Sequence, residues 1–186
     1  MHHEITIRPM REDDIPTFVA IESDCYPAAV CEGLEFFREF TGQHGTSCWV
    51  ATSSANDTAV GYVLSLPIKL SECPLKLQSH HDAKESSIAS YDNDDSDTFY
   101  LHDMAVTPVA RGKGIGHKLF DVVLDFADTR HLSTITLTSI GADEYWALCH
   151  GFVAMTNLSM KPQHRLATYP HDCGKVRMMQ RTVTKL

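Results

Sequence analysis

Apolar positions along this chain change period several times, and each change marks an element. Glu4 to Arg8 alternates, with Ile5 and Ile7 on one face, and predicts a first strand. Asp13-Asp14 ahead of Ile15-Pro16 is a helix start, with acids at the positive end and proline in the first turn. Ile15, Phe18, Val19 and the segment from Glu22 to Cys25 carry that helix to Tyr26-Pro27. Leu34, Phe36, Phe37 and Phe40 predict a second helix over 32–40. Cys48 to Ala51 reads as a strand, and Ala59 to Leu66 as its hairpin partner, which Pro67 is expected to stop. Phe99, Leu101, Met104 and Val106 predict a buried strand, closed by Thr107-Pro108 because proline has no N–H for a ladder. Leu119, Phe120, Val123, Leu124 and Ala127 then recur at helical spacing. Ser133 to Ile140 alternates β-branched residues and predicts a strand, followed by a short helix at 142–149. Strands at 153–158 and 175–184 complete the chain. Local pattern alone thus gives an α/β chain with a mixed sheet.

One segment breaks the rhythm. Residues 68–97 carry almost no periodicity, are rich in Ser, His and Asp, and predict a long loop insertion. The remainder of the 186 residues suits one domain spanning 1–186, with 43% hydrophobic content for a core. No apolar run is long enough for a membrane helix, and the N-terminus lacks an apolar signal core, which predicts a cytoplasmic protein. A formal charge of -8 argues against nucleic acid and suits a cationic substrate better. The six scattered cysteines contain no C-x-x-C and read as free thiols.

Candidate chemistry centres on Arg111-Gly112-Lys113-Gly114-Ile115-Gly116, between the predicted buried strand and its helix. Alternating glycines let the backbone approach a ligand and aim several N–H groups at one point. A helix N-terminus adds orphan N–H groups and the positive end of a dipole. Arg111, Lys113 and Lys118 add positive charge, so the stretch predicts a pyrophosphate cradle. The dinucleotide fingerprint G-x-G-x-x-G fails, since its last position falls on His117, and the P-loop pattern is absent.

The pattern R-x-x-G-x-G after a strand, with LHDMAV before it and YW…GF after it, resembles the acetyl-CoA loop of the GNAT superfamily of N-acetyltransferases. The element order matches that fold over essentially the whole chain. The resemblance implies a mixed sheet of about seven strands with about four helices on both faces. The helix text IE…CYP with Glu32 and Phe37 after it, Gly61-Tyr62-Val63 with Ser65 and Pro67, and Leu101 to Val106 look like the serotonin (arylalkylamine) N-acetyltransferase group and its microbial relatives.

What this resemblance implies is acetyl transfer from acetyl-CoA, as co-substrate, to the primary amine of a small molecule by direct attack. The Arg111–Gly116 backbone would hold the cofactor, and a bulge near Met104, Ala105 and Val106 would offer an N–H to the thioester carbonyl. In that group a histidine at the His102 position helps deprotonate the amine, a role that suits imidazole's reference pKa of about 6.5. The second histidine of animal members corresponds to Tyr100 here. The tyrosine that often protonates the departing thiolate corresponds to Ala147, so Tyr145 becomes the candidate acid. Asp103 is expected to anchor a loop or helix rather than to act on His102. Cys149 is expected to be buried, and no metal is expected: His80-His81-Asp82 lacks a third ligand, and Asp92 to Asp97 fails the calcium-loop pattern. The alternatives are a protein acetyltransferase acting on lysine or N-terminal amines, and a CoA-binding module without catalysis. Either a monomer or a homodimer fits.

Overall fold

The computed structural model describes residues 4–54, 57–72, 95–156, 166–167, 169–171 and 173–183. Their elements follow the predicted order. They are β1 (Ile5–Pro9), α1 (Ile15–Cys25), α2 (Gly33–His44), β2 (Cys48–Ser53), β3 (Thr58–Ile68) and β4 (Thr98–Val106). Then come α3 (Ile115–Thr129), β5 (Thr134–Ile140), α4 (Asp143–His150), β6 (Val153–Ala154) and β7 (Val176–Thr182). The seven strands form one mixed sheet in the order β1-β2-β3-β4-β5-β7-β6. The chain divides into two compact units, one of Met1–Ser65 with Asp103–Phe126, the other of Leu66–His102 with Ala127–Leu186.

In the first unit β1 pairs antiparallel with β2, and β2 with β3, with a register shift between Ala51 and Thr52. The amphipathic helices close over an aromatic core. Phe18 of α1 stacks on Tyr62 of β3 with ring centroids 4.7 Å apart, and Phe37 of α2 meets the same ring edge-on at 5.6 Å. Ile115, Leu119, Phe120 and Val123 recur at intervals that keep one stripe of α3 buried. At the start of α1, Arg8 grips the Asp14 carboxylate with two 2.8 Å bonds. α2 runs four residues beyond the predicted Phe40, to His44, because Phe40 and His44 both bury on its inner stripe.

In the second unit β4 pairs parallel with β5 over Thr98–Leu101, and β5 pairs antiparallel with β7 along its whole length. Phe99, Leu101, Ile135, Leu137 and Met179 are buried, as the sequence pattern requires. α4 ends on Gly151, whose φ of +67° is the left-handed conformation that glycine adopts at a helix terminus.

Pro67 does not stop β3, which continues to Ile68. The Ile68 carbonyl accepts from Asp97 N, so Ile68 faces β4 and Pro67 faces the β2 side. The β2 ladder has already ended at Cys48↔Leu64, so the missing N–H interrupts nothing. Residues 73–94 of the predicted insertion, with His80-His81-Asp82, lie outside the described residues, as do 157–165. The described ends of the insertion are tied together. Leu70 N donates to Asp97 Oδ1 at 2.7 Å, and Lys69 pairs with Asp95 at 3.4 Å.

Candidate active site

The predicted cradle sits in the first unit. Strand β4 ends at Val106, a single 3-10 turn covers Pro108–Ala110, and α3 begins at Ile115. Between them Gly112 and Gly114 adopt φ of +76° and +75°. A Cβ at either would meet nothing within 4 Å, so these glycines are needed for their backbone angles rather than for space. Gly116 lies in the first turn of α3, where the Lys118 N–H already bonds back to the Gly114 carbonyl at 3.1 Å. Positive φ on either side of Lys113, just ahead of a helix N-terminus, is compatible with the cradle predicted from the sequence. Arg111, Gly112, Lys113 and Gly114 are all exposed, and Ile115 is buried under the turn.

Arg111 does more than supply charge. Its Nε donates to the Val106 carbonyl at 3.0 Å, and its Nη2 lies 3.3 Å from Cys25 Sγ. Cys25 Sγ in turn lies 3.4 Å from the Val106 carbonyl. The guanidinium therefore latches the end of β4 to the end of α1. Lys118 Nζ reaches the Ile5 carbonyl at 3.4 Å instead of the loop.

Next to the loop is a partly buried acidic cluster, of which the sequence reading gave a role only to Asp103. Asp103 accepts the Tyr26 hydroxyl at 2.7 Å on one oxygen and the Tyr62 hydroxyl on the other. The Tyr26 oxygen also lies 3.1 Å from the Met104 carbonyl. Burial, with the Asp103 charge, holds both phenols well above their ordinary pKa. Asp103 thus anchors the end of α1, as expected. Glu22 is buried and accepts Glu32 N at 2.7 Å and Gly33 N at 3.1 Å. Burial pushes its carboxyl up to about 7, against those two N–H bonds, with Asp103 and Glu32 adding to the rise. A signal in the sequence could have found it: Glu22 lies four residues after Phe18 and beside Ile21, on the same buried stripe of α1.

In the second unit His102 is partly exposed, with its ring 5.9 Å from that of Tyr100. Tyr100 is buried and shares a 3.1 Å hydrogen bond with Thr138. Tyr145 is 37% exposed, and its hydroxyl lies 2.9 Å from His150 Nε2. Burial, then the neighbouring Cys149, raises its pKa, which keeps the phenol protonated. His150 is buried, and its carbonyl accepts Arg181 Nη1 at 2.8 Å. Cys149 is exposed, contrary to expectation: Trp146 and His150 form the inner stripe of α4 and leave residues 147–149 outside. Among the described residues no cluster of His, Cys, Asp or Glu could hold a metal, and no helix is long and apolar enough to cross a membrane. A cavity of about 390 Å³ between the start of α1 and α2 is lined by Met10, Ile15 and Arg38 among others, and by no candidate site residue.

Residues 7–152 match the model of the acetyltransferase (GNAT) family. The chain belongs to that family. Among curated proteins no sequence matches it significantly. Solved acetyltransferase structures share its fold at low identity. Ard1 from Thermoplasma volcanium is 18% identical, with 97% of this chain and 99% of that one covered and a TM-score of 0.67. The ribosomal-protein-S18-alanine N-acetyltransferase from Escherichia coli is 16% identical over 98% and 96%, with a TM-score of 0.63. N-acetylglutamate synthase from Neisseria gonorrhoeae, solved with coenzyme A and N-acetyl-glutamate, is 16% identical over 100% of this chain and 36% of that one, with a TM-score of 0.62. The sheet of seven strands with four helices is therefore the GNAT fold, and the chain is a CoA-dependent acetyltransferase by family. The finer likeness to the serotonin group rests on the text of the sequence alone.

Proposed function

We propose that this acetyltransferase transfers the acetyl group of acetyl-CoA to the primary amine of a small molecule by direct nucleophilic attack. The observation that carries the reading is the turn at Gly112 and Gly114, left-handed at both glycines and leading into the N-terminus of α3. Its N–H groups, with those of Arg111, Lys113, Ile115 and Gly116, bind the cofactor diphosphate. Backbone N–H groups at Met104, Ala105 or Val106 polarise the thioester carbonyl. The amine, with a pKa of about 10, must lose a proton before it attacks. His102 takes that proton. The amine nitrogen bonds to the acetyl carbon, the C–S bond breaks and Tyr145 protonates the departing CoA thiolate, while the proton that the nitrogen sheds on becoming an amide goes to solvent, which restores the phenol. The small-amine acceptor is supported by the helix text IE…CYP and by Gly61-Tyr62-Val63, and the net charge of -8 favours a cationic approach.

The test is release of CoA thiol from acetyl-CoA with aryl amines, polyamines and peptides offered in parallel from pH 6 to 9. Small amines are expected to turn over and peptides not. Preference for peptides would move the acceptor to protein amines. His102→Ala should lower kcat by about 10²–10⁴-fold while CoA binding is unchanged. Unchanged turnover in that variant would remove His102 from the mechanism.

A further inference from the structure

Tyr145 does not stand alone on α4. Its hydroxyl lies 2.9 Å from Nε2 of His150, five residues on. Helical spacing pairs residues three and four apart, so this contact depends on how the helix ends. That end is fixed from two sides. Gly151 N bonds to the Ala147 carbonyl and Phe152 N to the Trp146 carbonyl, both at 3.1 Å. Arg181 Nη1 of β7 holds the His150 carbonyl at 2.8 Å. The His150 ring centroid lies 5.3 Å from that of Trp146 and 5.1 Å from that of Tyr145. His150 is 4% exposed and Tyr145 is 37% exposed, so a buried histidine carries a phenol that reaches the surface.

A phenol that protonates a thiolate works uphill, since tyrosine titrates near 10 and a thiol near 8.5. Burial, then Cys149, lifts the Tyr145 phenol further. A hydrogen-bond donor on the phenolate oxygen acts the other way, because it favours the charged form. Among the described residues, Cys149 and His150 of α4 bear on the phenol, and Arg181 of β7 reaches it through the His150 carbonyl. β5 carries no charged side chain, and Asp143 pairs with Lys175 and Arg177 at the start of α4. His150 Nε2 is therefore the group placed to supply the donor. Neutral imidazole carries one N–H, and its position decides the direction of the bond. With the proton on Nδ1, the phenol donates to Nε2 and its own proton is tied up. With the proton on Nε2, the imidazole donates and the phenol O–H is free to turn elsewhere.

We propose that His150 is a positioning residue for acetyl transfer: as the Nε2–H tautomer it donates to the Tyr145 oxygen, leaves the phenol's own proton free for the CoA sulfur, and holds the phenolate that remains. This rests on the acetyl-transfer reading above, with Tyr145 as the acid. His150 keeps its own proton throughout, and the phenolate takes a proton back from solvent.

The experiment compares kcat and KM for acetyl-CoA in wild type, Tyr145→Phe, His150→Phe, His150→Gln and the variant with both phenylalanines. Nitrogen-15 NMR of the full chain reads the tautomer of neutral His150. His150→Phe keeps a buried ring and removes the donor. It is expected to lower kcat about 10–100-fold, the worth of a hydrogen bond to a charged group, while KM changes far less. His150→Gln, which can place an N–H near the Nε2 position, should recover part of the loss. In the Tyr145→Phe background, His150→Phe should cost nothing further, because it acts only through the phenol. The phenol should also titrate higher in His150→Phe than in wild type, followed by tyrosinate absorbance against the matching Tyr145→Phe proteins. Wild-type kcat in His150→Phe overturns the proposal, and so does an equal loss with and without Tyr145, which would mean a merely structural role. If His150→Phe does not fold, the NMR decides: a proton on Nε2 supports the proposal and a bare Nε2 overturns it. Full turnover in Tyr145→Phe, or none in wild type, is failure of the acetyl-transfer reading and takes this proposal with it. Slow Tyr145→Phe beside fast His150→Phe is failure of this proposal alone.

Discussion

At the scale of single residues, Glu22 shows how position sets chemistry. It sits at the end of α1 with both carboxylate oxygens on N–H groups at the start of α2. Those bonds favour the ionised form, yet burial outweighs them and the carboxyl titrates at about 7. An unfolded glutamate titrates near 4.3. Between these values the unfolded chain releases a proton that the folded chain keeps, so this group's contribution to stability is full below about 4.3 and is lost as pH rises to about 7. Glu22→Gln cannot titrate. The stability of wild type relative to Glu22→Gln should therefore fall from pH 5 to pH 8, measured by urea unfolding. A difference that stays constant or grows with pH would contradict this assignment. Tyr145 makes a second point at this scale. Its hydroxyl meets His150 five residues on, a contact that neither the helical period nor the YW…GF text announces.

At the scale of elements, the proposal places cofactor binding on β4, the glycine turn and α3. Gly114 is in the left-handed region with open space above it. Gly114→Ala should therefore cost stability through backbone strain of about 1–2 kcal/mol rather than through a clash. It should also misaim the N–H groups of the turn and weaken CoA binding at least about tenfold. Calorimetry of CoA binding and thermal unfolding measure the two effects separately, and unchanged affinity in a destabilised variant would mean the turn is only a connector. This element was legible in the sequence because its signals are local. The β-branched and aromatic run, the proline stop and the alternating glycines each act within a few residues. The period of α3 was equally plain, since Leu119, Phe120 and Val123 face one core. What could not be read is long-range. Whether Pro67 stops a strand depends on where β2 ends, and Tyr26 finds Asp103 across 77 residues of chain. Cys149 was misplaced for a related reason: a helix of eight residues has too few turns for its inner stripe to be fixed by pattern, and the partner core chose Trp146 and His150.

At the scale of the whole molecule, the order of eleven elements was set by where apolar periodicity changes, and the family match over residues 7–152 agrees with it. The two ends of the insertion meet through Leu70 and Asp97, so the chain leaves and rejoins the sheet at one place. The central claim is that main-chain N–H groups from Arg111 to Gly116 grip the diphosphate of acetyl-CoA. The direct measurement is a crystal structure of the full chain soaked with CoA. The account predicts the diphosphate oxygens within hydrogen-bond distance of amides in that turn, at the N-terminus of α3. Clear density for CoA elsewhere, with the glycine turn unoccupied, would contradict it.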